Sequence, residues 1–202
     1  MPEVLGHLEK NIFIAASDGD LPSIQTLLKN GVNINEKDID GRSMTTALHI
    51  AAKNGSLEIV KLLLKNGAMF NVKSKEKQTP INVATDQNIL TFLKLTEDLF
   101  ESTERGTNEV IKKLKAVNSD DFSALSNARN SHGNTLLTVA IAKKHKHLVS
   151  QLLSMLKHQK VKYFLVACVS QKLIFILDCP VKNAPTSFAI QLLLFVSLST
   201  II

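Results

Sequence analysis

Residues 46–71 read "TALHIAAKNGSLEIVKLLLKNGAMFN". The plan of this stretch also occurs upstream, where residues 12–36 read "IFIAASDGDLPSIQTLLKNGVNINE". An offset of 36 residues places the alanine pairs, the leucine pairs, two glycines and an asparagine on one another. A repeat explains its own residues, so it has to be recognised before any single motif in it is interpreted.

The second copy has the pattern of two short helices joined by a tight turn. Thr46 can cap the first helix through its hydroxyl, and Gly55 allows the chain to turn after it. The apolar residues that follow recur at helical spacing, and Gly67 stands where a helix commonly ends. Two such short helices cannot bury their apolar faces alone, whereas stacked copies can. The pattern therefore predicts an all-α array of stacked helix-turn-helix units.

The stretch closely resembles the ankyrin repeat, whose pattern runs T-P-L-H-x-A-A, then G, then I-V-x-L-L, then G-A-x-x-N. In the opening motif, T-P-L-H-x-A-A, the sequence differs from the pattern at one residue, because Ala47 stands in place of the proline. The resemblance implies an ankyrin-repeat solenoid with finger loops between the units. It also implies a structural role for His49, which would hydrogen-bond between neighbouring finger loops. The matching residues are Thr46, Leu48, His49, Ala51, Ala52, Gly55, Ile59, Val60, Leu63, Leu64, Gly67, Ala68 and Asn71.

The repeat can be followed through five units of unequal quality. Units two and five match the pattern best, whereas unit four is degenerate. Unit three is several residues short in its middle, and like unit five it lacks the glycine between its helices. An insertion, "KAVNSDDFSALS", interrupts the pattern after Leu114. The expected limits of units one to five are 5–40, 41–73, 74–95, 96–130 and 131–160.

The tail, residues 161–202, does not continue the ankyrin pattern. Residues 163–177 are apolar almost throughout, and no acidic or basic residue follows Lys182. A membrane span takes about 20 predominantly apolar residues, and the most apolar run of the tail, residues 188–202, has 15. Three interpretations stay open: a cap on unit five, a C-terminal membrane anchor, or an out-of-pattern terminus.

The charge pattern bears on the kind of partner. The net charge is +6, and 24 basic residues face 18 acidic ones. The lysines are scattered along the chain, which favours solvated helix faces over a nucleic-acid surface with its concentrated basic stripe. The densest cluster is "KKHKH" at residues 143–147, between the two helices of unit five. An anionic partner is the alternative interpretation of that cluster.

No motif in the chain indicates catalysis, a cofactor or a metal. The sequence contains no hydrolase elbow, no phosphate-binding glycine loop and no zinc-binding helix motif. Cys168 and Cys179 form no C-x-x-C pair and fit neither a disulfide framework nor a metal site. His145 and His147 are two residues apart, so they would not share one helix face as a metal-binding pair does. We therefore predict no enzyme, no cofactor and no bound metal.

The resemblance implies a cytoplasmic, non-enzymatic module that binds a protein partner of unknown identity. In ankyrin proteins, the tips of the finger loops and the exposed ends of the first helices line a concave binding surface. Two alternatives are a membrane-associated ankyrin protein attached by its tail, and a truncated or decayed piece of a larger ankyrin protein, such as a secreted bacterial effector. The positions of this chain that match the concave surface are Ser17, Asp18, Ile39, Asp40, Arg42, Lys53, Asn54, Glu76, Gln78, Asp86, Gln87, His132, Asn134, Lys143 and Lys144.

Overall fold

The structure is a computed structural model, and it describes residues 11–38 and 43–158. The regular structure of these residues is helical. None of the described helices is long and apolar enough to cross a membrane. The helices are α1 (Ile12–Ser17), α2 (Leu21–Lys29), α3 (Ala47–Lys53), α4 (Leu57–Lys65), α5 (Pro80–Val83), α6 (Gln87–Arg105), α7 (Glu109–Ala116), α8 (Ser119–Asn127), α9 (Leu136–Ala142) and α10 (Lys146–His158).

The helices pack as the repeat predicts. Within units, α1 packs against α2, α3 against α4, and α9 against α10. Between units, α1 contacts α3 and α3 contacts α5, so the first helices stack directly on one another. The all-α stack of helix-turn-helix units predicted from the sequence is thus confirmed for the described residues. The tail at 161–202 and its three interpretations lie outside the described residues.

The turn between the two helices has the same backbone geometry in four units. A left-handed residue stands at Gly19 (φ 71°), Gly55 (φ 75°), Gly106 (φ 70°) and Lys144 (φ 62°). Glycine adopts this conformation at little cost, whereas a lysine is strained in it. The residue after each one donates its N–H to a carbonyl five residues back, in the pairs Asp20–Ala15, Ser56–Ala51, Thr107–Ser102 and His145–Ala140.

The third and fourth units share one long helix. The first helix of unit three, α5, has only 4 residues, and Ala84 after it is extended. The next helix, α6, runs for 19 residues from Gln87 to Arg105, so the expected limit at residue 95 falls inside it. The sequence offers no glycine or proline between Pro80 and Gly106 that would break this helix. Its buried residues form a continuous stripe, namely Ile89, Phe92, Leu93, Thr96, Leu99, Phe100, Ser102 and Thr103.

The inserted segment forms helix α8, which packs along α4 of unit two. Its residues Phe122, Ala124 and Leu125 are buried, and Asp121 forms an ion pair with Lys61 at 2.7 Å. The chain after α8 continues the contact. The N–H of residue 129 donates to the carbonyl of residue 68 at 3.1 Å, and the N–H of residue 70 donates to the carbonyl of residue 129 at 2.9 Å. The insertion is therefore an integrated helix that fastens the chain to unit two.

Candidate protein-binding surface

The turn ends of the first helices carry six of the residues predicted to bind a partner. Because the repeat offset is 36, Ser17 and Lys53 occupy the same position in units one and two. Asp18, Asn54 and Lys143 each follow the last residue of a first helix as its C-cap. These five residues, together with Lys144, are exposed. The structure thus presents this part of the predicted surface to solvent.

Side chains from the next unit cap the ends of the first helices. Asn54 Nδ2 donates to the Ser17 carbonyl at 2.8 Å, and Thr85 Oγ1 donates to the Lys53 carbonyl at 2.9 Å. The last carbonyls of a helix lack partners within the helix, so each of these bonds satisfies a group that would otherwise depend on water. The amide of Asn54 is therefore committed to the contact between units one and two, which limits its part in binding.

The unit-three residues of the predicted surface are also engaged in part. Asp86 is half-buried, and its Oδ1 accepts from the N–H groups of Asn88 at 2.8 Å and Ile89 at 3.1 Å. These bonds make Asp86 the N-cap of α6. Gln87 is exposed in the first turn of the same helix. Asp86 hence has a structural role that its position in the repeat did not indicate.

The finger-loop residues lie on two loops of the same form. The N–H of Ser74 donates to the Gln78 carbonyl at 2.8 Å, and the N–H of Asn130 donates to the Asn134 carbonyl at 2.9 Å. Glu76, Gln78 and His132 are exposed and Asn134 is half-buried. Ile39, Asp40 and Arg42, which the sequence assigns to the loop between units one and two, lie outside the described residues.

His49 links two finger loops, as the resemblance implied. Its Nδ1 accepts from the Thr46 N–H at 3.2 Å, which leaves the proton on Nε2, 3.1 Å from the Gln78 carbonyl. The ring is 2% exposed. Burial is the main cause that lowers the pKa of His49 below its usual value, because it disfavours the charged imidazolium. His49 is a buried, neutral, structural histidine.

An apolar row beside the turn ends was not predicted. Ile14 and Ile50 each precede an alanine pair, 36 residues apart, and Val83 stands at the matching place in unit three. Ile14 is 44% exposed and Met44, before α3, is 47% exposed, while Ile50 and Val83 are half-buried. The sequence signal was available, since this is the variable position before the alanine pair. The predicted surface, whose one apolar member is Ile39 in a finger loop, did not include this position.

The described residues contain no group of three or more histidine, cysteine, aspartate or glutamate side chains that could hold a metal ion.

A family model of ankyrin repeats matches residues 12–98 in three copies. Residues 12–98 are ankyrin repeats. No curated protein matches the chain. The matched region comprises α1 to α5 and the first part of α6. Ankyrin repeats generally serve as protein–protein interaction modules and are typically non-enzymatic.

Proposed function

We propose that this ankyrin chain is a non-enzymatic module that binds a protein partner on the surface formed by the ends of its first helices and its finger loops. The observation that carries the proposal is the row Ile14, Ile50 and Val83, which runs beside the exposed residues Ser17 and Lys53. Protein interfaces combine an apolar centre with a polar rim. A few central residues supply most of the binding energy.

The contacts within the stack separate residues that hold the scaffold from residues whose side chains are open to a partner. Asn54 and Asp86 hold helix ends through 2.8 Å hydrogen bonds, so replacing them would disturb the scaffold as well as any interface. Ser17 and Lys53 offer exposed side chains, and Ile14 offers exposed apolar area. We expect the second group to contribute most to affinity.

The test is affinity capture with the full chain, followed by binding measurements on the captured partner. The site variant carries Ile14→Glu and Lys53→Glu. The control variant carries Gln25→Glu and Lys29→Glu, two exposed positions on α2 that give the same change of charge. The proposal expects a partner that binds the wild type and the control but not the site variant. A partner that both variants bind equally well would contradict it.

The alternative is a membrane-associated ankyrin protein. Its support is the tail sequence, in which no charged residue follows Lys182. Liposome flotation of the full chain beside a chain that ends at Lys160 tests this alternative. Flotation of the full chain alone, resistant to alkaline carbonate, would assign the tail to the membrane. If neither floats, the alternative is rejected and partners are to be sought among proteins away from membranes.

A further inference from the structure

The segment that we name the basic turn comprises residues 143–147, namely the turn between α9 and α10 and the first two residues of α10, and its backbone is fixed. The N–H of Lys144 donates to the Ile141 carbonyl at 2.9 Å. The ring Nε2 of His145 lies 2.9 Å from the Glu104 carbonyl of α6. These bonds hold the turn both to its own helix and to the neighbouring unit, so its lysines project from a rigid base.

Within residues 11–38 and 43–158, the lysines of the basic turn have no acidic partners. Lys143, Lys144 and Lys146 are exposed, and none of them forms an ion pair with a carboxylate among the described residues. Elsewhere in the stack, Lys61 pairs with Asp121 and Lys113 with Asp98. The basic turn therefore carries three exposed lysines within four residues, none of them paired with a carboxylate in the part of the chain that the structure describes.

The charge at the basic turn differs from that at the matching turns of units one and two, and in unit four the matching cation, Arg105, is paired with Glu101. The residue that follows the first helix is Asp18 in unit one, Asn54 in unit two and Lys143 in unit five. The next residue is in the left-handed conformation in each of these units, and unit five keeps a lysine where units one and two have glycine. The scaffold would be less strained with glycine at residue 144. Unit five thus carries a lysine at a position where the backbone favours glycine.

We propose that the basic turn docks an acidic segment of the protein partner. This proposal rests on the proposed function, because Lys143 and Lys144 belong to the proposed surface. Exposed charges attract in proportion to their number and are screened by salt. The basic turn thus sets the orientation of the partner and its rate of association.

The test measures the fluorescence anisotropy of a short labelled peptide of alternating glutamate and glycine on titration with the full chain. The site variant carries Lys143→Gln, Lys144→Gln and Lys146→Gln. The control carries Lys94→Gln, Lys112→Gln and Lys115→Gln, which are exposed lysines on α6 and α7. The net charge of the two variants is the same. We expect the site variant to bind about tenfold more weakly than the wild type and the control to bind within about threefold of it.

Two further ligands separate this proposal from its competitors. A peptide of alternating glutamine and glycine should not bind, because it lacks the carboxylates. A single-stranded DNA oligomer should bind more weakly than the acidic peptide, and tighter DNA binding would overturn the proposal in favour of a nucleic-acid site. Equal losses in the two triple variants, or no saturable peptide binding by the wild type, would also overturn it. Partner capture that depends on Ile14 and Lys53 would leave the proposed function standing in that case.

Discussion

Asn35 and Asn71 occupy the same position in consecutive units, yet within the described residues the side-chain oxygen of Asn35 accepts a hydrogen bond and that of Asn71 does not. Asn35 Oδ1 accepts from the Met69 N–H at 2.8 Å, and its Nδ2 donates to the Gly67 carbonyl at 3.1 Å. Asn71 Oδ1 is shielded from solvent and has no partner among the described residues. The chain segment that pairs with residues 68–70 is that of Arg129. Its N–H already donates to the Ala68 carbonyl, so it is not available to Asn71 Oδ1.

The two asparagines should therefore respond differently to the same substitution. Asn35→Ala leaves two main-chain groups of unit two without partners, which should lower the free energy of unfolding by about 1–3 kcal/mol. Asn71→Ala removes an acceptor that is already unpaired, so we expect a change below about 0.5 kcal/mol. Urea denaturation of both variants measures the difference. Equal losses would mean that the hydrogen bonds of Asn35 do not stabilise the stack.

His49 predicts a pH dependence of stability. Burial lowers its pKa in the folded state from the ordinary value of 6.5, so below that pH the unfolded chain binds a proton that the folded chain does not. The stabilising contribution of neutral His49 is complete above pH 6.5 and falls as the pH decreases toward the folded-state pKa. The free energies of unfolding of the wild type and of His49→Gln, measured from above pH 6.5 downward, give the part of the pH dependence that is due to His49. The variant should be less stable and less pH-dependent, and an unchanged slope would refute this assignment.

Lys144→Gly should stabilise the chain. The lysine has a φ of 62°, a conformation in which a side chain costs about 1–2 kcal/mol and glycine costs little. After allowing for the greater freedom of glycine in the unfolded state, we expect a rise in Tm of about 2–4 °C by thermal denaturation. Lys143→Gly, at a residue with ordinary helical φ, is the matched control and should lower Tm. A Tm decrease for Lys144→Gly would show that the turn is not strained.

Gly106→Ala should destabilise the stack more than Gly31→Ala. Both glycines have a positive φ, 70° and 81°, so each alanine carries a similar backbone cost. A Cβ at Gly106 would also lie 2.5 Å from Nδ1 of His145, whereas a Cβ at Gly31 would meet nothing within 4 Å. We expect about 1 kcal/mol for Gly31→Ala and about 2–4 kcal/mol for Gly106→Ala from chemical denaturation. Similar values would show that the His145 ring moves aside freely.

Leu63→Ala should loosen the region around α8 as well as unit one. Leu63 is completely buried in α4, and its truncation should cost about 2–5 kcal/mol. Since α8 packs on α4, we expect amide hydrogen exchange to accelerate in α8 and in residues 128–130. The corresponding change in α10, which has fewer contacts with this region, should be smaller. Acceleration confined to α1 and α2 would show that α8 is held independently of α4.

The helix pairs of units one, two and five could be predicted from local sequence signals. The turn glycines, Thr46 and His49 act within one unit or on the next one, so the repeat pattern fixes their roles. The capping bonds of Asn54 and Asp86 depend on which backbone groups lie nearby, and the positions of these two residues in the repeat did not reveal them. The sequence also indicated the continuous helix α6, because no glycine or proline interrupts it before Gly106. The expectation of a regular repeat obscured that signal.

The docking of α8 could not be predicted from spacing. Its charged residues Asp120 and Asp121 look like an exposed loop in the sequence, and their partners Lys61 and Lys65 lie about two units away along the chain. The pairing of residue 129 with residue 69 is likewise set by tertiary packing. On the candidate surface, repeat position correctly predicted the exposure of Ser17 and Lys53. The exposed Ile14 was missed because it lies within α1, and the prediction took only the ends of the first helices and the finger loops.

The contact between α4 and α8 has a consequence for how this chain can change in evolution. A linear repeat protein gains or loses a unit between any two neighbours, because each unit touches only the next. Here the chain leaves unit two and returns to it at residues 119–130. A duplication or deletion between these points must still bring α8 back onto α4. Change in unit number is consequently easier before α3 than within this closed loop.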